Sequence, residues 1–131
     1  MTIRDDPLAR LIVDHAQANR ELLANTLDGV LGIDPASRKL LFAPHVRGRF
    51  TARARVIAAL LGRKALSLLA DDYVEGAAPK DLEVELGIAG GTLRPLMKRL
   101  AEEGLVVRRD GAYLIPNHLI EEAGRELKGG T

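Results

Sequence analysis

The sequence predicts a mainly α-helical fold with one small β-hairpin, on three observations. Apolar residues recur at intervals of three and four along most of the chain, the period of a helix with one buried face. Two short apolar runs, 105–108 and 112–115, flank Asp110-Gly111, a dipeptide suited to the left-handed backbone of a tight hairpin turn. Aromatic residues make up 3% of the composition and tryptophan is absent, so the interior has to be assembled from Leu, Val, Ile and Ala. A chain of 131 residues with 47% hydrophobic content is expected to form one compact domain with a helical extension.

Taken in order, residues 7–31 place Leu8, Leu11, Ile12, Leu22, Leu23, Leu27, Val30 and Leu31 at helical spacing. Asp6 is the candidate N-cap, Pro7 fits the first turn and Gly32 is the stop. A long N-terminal amphipathic helix is therefore expected within 1–35, with an apolar face suited to a homodimer. His15 and Asn19 interrupt that face one turn apart, either as polar margins of a packed surface or as a pair that sets the register of a helix dimer. Asp34 and Pro35 break the helix, and 39–42 is a short strand or an extended link. Pro44 and Gly48 predict irregular backbone up to Phe50, so 36–50 reads as a basic linker or arm that carries Arg47 and Arg49.

Thr51 then caps a helix to about Asp72, with Val56, Ile57, Leu60, Leu61, Leu68 and Leu69 on its buried side. After a break at 76–78, Pro79 opens a short helix through Leu86, and Gly87 supplies a left-handed turn. A third helix begins at Gly91 or Thr92, with Pro95 still in its first turn, and ends before Gly104. The hairpin follows and Pro116 ends its second strand. Asn117 is placed to cap a short C-terminal helix in 117–131, whose last residues should fray.

Composition removes several function classes. Cysteine is absent, which excludes disulfides, thiolate nucleophiles and thiolate zinc sites. His15, His45 and His118 show no ligand spacing. Asp71, Asp72 and Glu75 form the one carboxylate cluster, read either as the wet end of a helix or as a weak magnesium site. Gly62-Arg63-Lys64 is not a phosphate loop, because the upstream glycine is missing and Ala65 follows the lysine. No serine, histidine and acid arrangement with a nucleophile elbow is present. An enzyme, a cofactor and a metal are therefore not expected. The polar, acidic start of the chain shows no secretory signal, and the apolar segment 56–61 is cut by Arg63 and Lys64 well short of the roughly 20 residues of a membrane span. The expectation is a cytoplasmic protein with no membrane association.

Charge is distributed unevenly around a net +1. Residues 36–70 hold eight basic side chains and no acid, whereas 71–104 hold four basic and eight acidic ones. Such polarity suits a polyanion or an acidic partner. Arg47, Arg49, Arg53 and Arg55 fall within nine residues without an acid among them. They read as phosphate contacts, as a solvated run, or as partners for the acidic N-terminal segment.

Leu82, Leu86, Gly87, Ile88, Leu93 and Leu96 stand in the order in which helix-turn-helix proteins place their buried positions and turn glycine, with Met97 and Leu100 extending the stripe. The phrase GTLRPLMKRLAEEGLVVRRDGAYLIP also resembles many bacterial and archaeal winged-helix regulators. The resemblance covers 51–116 and implies a winged helix-turn-helix domain, with a long N-terminal and a short C-terminal helix outside it. One position departs from the family: Glu83 stands where a small residue is usual, so either the helices cross at a wider angle or Glu83 points outward.

What the resemblance implies is double-stranded DNA binding by a transcriptional regulator, with the 92–103 helix in the major groove. Arg94 is then the candidate reader of a guanine edge, Thr92 contacts a base methyl or a phosphate, and Lys98 and Arg99 contact phosphates. Arg108 and Arg109 flank the tip of the wing, either touching DNA or guarding a sheet edge. Gly90-Gly91 allows close approach to phosphate or relaxes the turn. The alternative is a protein-protein adaptor in a larger assembly, for which the small-residue Gly90-Gly91 opening, the short wing and the acidic 71–85 stretch speak.

Overall fold

A computed structural model describes residues 6–11 and 19–129 of the chain. Among them are six α-helices and two antiparallel hairpins. The helices are α1 (Arg20–Leu27), α2 (Pro44–Arg49), α3 (Ala52–Leu69), α4 (Pro79–Leu86), α5 (Gly90–Glu102) and α6 (Ile120–Gly129). Strands β1 (Leu31–Ile33) and β2 (Leu40–Phe42) form the first hairpin, and β3 (Val107–Arg109) and β4 (Ala112–Leu114) the second. The described residues adopt the predicted mainly helical class with a small hairpin, β3–β4, and add a second hairpin, β1–β2, that was not expected. None of the described helices is long and apolar enough to cross a membrane.

The hub is α3. Thr51 accepts a hydrogen bond from the Ala54 amide at 3.1 Å and starts the helix, as its side chain at an N-cap should. Val56, Ile57, Ala58, Ala59, Leu60 and Leu61 then lie at most 1% exposed, because neighbours cover this stretch on more than one side. Helices α1, α4 and α6 and both hairpins pack on α3. Gly62 admits the first hairpin: a Cβ there would stand 2.9 Å from the side chains of Leu31 and Leu40.

The N-terminal third differs from expectation. Instead of one helix over 7–31 there is a 3-10 turn at Pro7–Leu11, while Asn19 is the extended N-cap of α1 and accepts from the Leu22 amide. His15 lies outside the described residues. Helix α1 ends at Leu27, and Gly32, expected as a stop, sits inside β1. Leu23 and Leu27 are 2% and 5% exposed in the protein's own core, so this part of the apolar face is already covered and is not free for a dimer. The expected irregular arm at 36–50 is corrected as well. Its second half is β2 followed by α2, whose Pro44 fits the first turn and whose Val46 is buried.

From Pro79 onward, expectation and structure nearly coincide. Helix α4 has the predicted ends, and Gly87 terminates it at φ 66°. Asp110 and Gly111 take φ values of 53° and 80°, the left-handed pair of a tight hairpin turn. Helix α5 begins at Gly90, which puts Pro95 inside the helix and not in its first turn. The expected short C-terminal helix is present as α6 from Ile120, preceded by a 3-10 turn that Asn117 opens.

Candidate functional site

Leu93, Leu96, Met97 and Leu100 fix one side of α5 in the core. The opposite side, with Thr92, Arg94, Pro95, Lys98, Arg99 and Glu102, is exposed along its length. Two features frame it. Helix α4 packs against α5, and Ala77, two residues before α4, pairs with Tyr113 of β4 through reciprocal backbone hydrogen bonds of 3.0 and 2.8 Å. The second hairpin is thereby tied to the start of α4, and a groove opens between the two and α5.

This groove has a volume of about 550 Å³ and is lined by Ala78, Pro79, Lys80, Arg94, Lys98, Arg108 and Tyr113. Its four ionisable groups other than the tyrosine are all cations. The Arg108 guanidinium lies over the Tyr113 ring, 5.6 Å from its centroid, which steadies a side chain on an otherwise exposed strand. Among the described residues, no carboxylate forms an ion pair with Lys80, Lys98 or Arg108. Asp81, the adjacent acid, is turned to the backbone and accepts from the Ala78 amide at 3.0 Å. Uncompensated cations around a concave surface create a local positive potential that attracts polyanions.

Of the residues the sequence singled out, Arg94, Lys98 and Arg108 meet in this groove; Thr92 and Arg99 are exposed on α5 outside its lining, and Arg109 is exposed at the hairpin's tip. Lys80 and Tyr113 were not anticipated. The signal for Lys80 was available, since it follows the proline that opens α4; Tyr113 needed the hairpin register, which turns it under Arg108.

The arginine group at 47–55 divides. Arg47 and Arg49 are exposed in the last turn of α2. Arg53 makes a fork to Glu103 at 2.8 and 2.9 Å and a second contact to Glu126 at 2.7 Å. These carboxylates hold its guanidinium more firmly protonated than usual, and it in turn keeps Glu103 below the usual carboxylate range. Arg55 donates to the carbonyl of Leu86 at the end of α4. Arg53 and Arg55 are thus internal ties, not free phosphate ligands, and the acids Arg53 meets come from the C-terminal half instead of the N-terminal segment.

A second charged group is structural. Lys64, 1% exposed, pairs with Glu75 at 2.6 Å and donates to the Asn117 side chain. Arg63 donates to the Glu75 and Gly76 carbonyls at 3.0 Å and to Glu85 at 3.3 Å. Asp72 pairs with Arg38 at 3.0 Å, so the carboxylate cluster at 71–75 is divided between two cations. A further groove of about 600 Å³ between α1, β1 and α3 is lined mainly by leucine and alanine, and its Arg20 donates to the Leu68 carbonyl at 2.9 Å.

No protein-family model matches this chain, and comparisons with curated proteins and with solved structures find no match.

Proposed function

We propose that residues 51–116 are a winged helix-turn-helix and that the protein binds double-stranded DNA, acting as a transcriptional regulator. The order helix, bridging strand residue, helix, helix, hairpin supports this reading, with α3, Ala77, α4, α5 and β3–β4 in those roles. Helix α5 enters the major groove by its exposed side, with Arg94 at a base edge. Lys80, Lys98 and Arg108 face the phosphates beside it. The observation that carries the proposal is the convergence of these four cations on one groove without an acid in its lining.

Anisotropy titration of a random-sequence duplex against increasing salt tests it. Each phosphate neutralised adds about 0.9 to the slope of log affinity against log salt. Lys98→Ala and Arg108→Ala should each weaken binding to all duplexes and flatten that slope by close to one such increment, whereas Arg94→Ala should also relax base preference. Wild-type affinity that is undetectable at moderate salt, or unchanged in all three variants, rejects the proposal.

The reading as a protein adaptor has one observation in its favour. Val74 and Val84, beside the acidic residues of 71–85, are 76% and 88% exposed. An adaptor would co-purify with its partner and lose it on Val84→Asp, with no duplex affinity to lose.

A further inference from the structure

Within the cationic surface one acid is placed against a reader residue. Glu83 on α4 reaches toward the start of α5: a Cβ built on Gly90 would stand 2.6 Å from its Oε1 and 2.7 Å from an Arg94 guanidinium nitrogen. The missing side chain at Gly90 is therefore the space in which the carboxylate and the guanidinium meet, at 3.9 Å. The Glu83 side chain is 31% exposed and that of Arg94 66%, so the acid is the more enclosed partner and the arginine the one free to leave. Gly91 has open space where its Cβ would be, so the two glycines are not equivalent.

We propose that Glu83 is a built-in brake on duplex binding: lodged in the Gly90 notch, it competes with nucleic-acid phosphate for Arg94. The inference rests on the DNA-binding reading above. An anion arriving at Arg94 has to separate this pair and then approaches the remaining carboxylate, which repels it. Glycine at 90 is what allows the brake to engage. Non-specific backbone contacts bear the repulsion, whereas a guanine edge, which carries no net charge, meets far less of it. The brake therefore lowers affinity for arbitrary sequence more than for a site that Arg94 reads.

The test is a set of anisotropy titrations on the full chain at several salt concentrations, with thermal melts confirming that each variant is folded. An exposed pair of this kind is worth enough to alter affinity by about two- to fivefold. Glu83→Gln should bind a random duplex tighter by that factor and with a steeper salt slope. Gly90→Ala should act in the same direction, because its methyl fills the space in which the carboxylate and the guanidinium meet and so separates the pair. In an Arg94→Ala background, Glu83→Gln should gain less, because only the carboxylate's repulsion of phosphate is left to remove and no ion pair has to be separated. If Glu83→Gln binds no tighter than wild type, or gains equally without Arg94, the brake is wrong while the DNA reading stands. If neither wild type nor Glu83→Gln binds duplex at low salt, both fall together.

Discussion

At Glu85, burial and charge conflict. Its carboxyl is pushed above the usual glutamate value of 4.5 first by desolvation, against which the Arg63 guanidinium only partly compensates. One of its oxygens is buried without a hydrogen-bond partner. An acid with a raised folded-state value contributes its stability below the unfolded value and loses it as pH rises through the folded one. Wild type should therefore lose stability from this group as pH rises from below the usual 4.5 through the raised folded-state value, and Glu85→Gln, which can still accept from Arg63, should lose less. Denaturant unfolding at both ends of that range measures it, and equal losses in the two proteins would contradict the account. Sequence alone marked Glu85 only as one of several acids; its burial comes from facing Arg63 on α3, which no local pattern encodes. The burial of Lys64 has the same cause. A lysine in an apolar helix looks like a surface residue until Glu75 and Asn117 are brought to it from later in the chain.

Helices and turns whose ends carry their own chemistry were legible. Thr51, Pro79, Gly87 and Asp110-Gly111 each act through backbone groups within a few residues, so they specify ends wherever the element packs. Replacing Thr51 by Ala removes the acceptor for the Ala54 amide and should destabilise the protein by about 1 kcal/mol. A Thr51→Ser variant should recover most of that loss in thermal melts; equal stability of the Ala variant would mean that water satisfies the amide as well. Elements without such marks were misread. Strand β1 has three residues, too few for an alternating pattern to show, and Leu31 falls on the helical stripe that Leu23 and Leu27 begin. Its identity as a strand depends on pairing with β2 and on the space at Gly62. In the same way Pro44 and Gly48 suggested loose chain, yet Val46 and Phe50 anchor α2 in the core and fix its backbone.

Three parts of the molecule are fastened by a single side chain. Arg53 connects α3, the end of α5 through Glu103, and α6 through Glu126, so the C-terminal helix is tied to the domain that carries the cationic groove. Because the pairs are partly exposed, Arg53→Ala should cost on the order of 1 kcal/mol of stability. Its effect on duplex binding should be nil, with the salt slope unchanged, which separates an internal tie from a phosphate ligand. A parallel loss of affinity would return Arg53 to the binding surface. The ion pair also has a pH signature. Glu103, held below its usual range by Arg53, adds stability above the unfolded carboxylate value and gives it up as pH falls through the lowered one.

The mainly helical class, the α4–α5 pair, the second hairpin and the cationic side of α5 could be read from residues alone. Each follows from apolar period or turn chemistry acting over a few positions. The division of the arginines into free and tied ones, the recruitment of Lys80, the burial of Lys64 and the Glu83 contact over Gly90 arose only on folding. Ion pairs and desolvation depend on which groups meet across distant segments, and a charge written in a sequence carries no record of its partner.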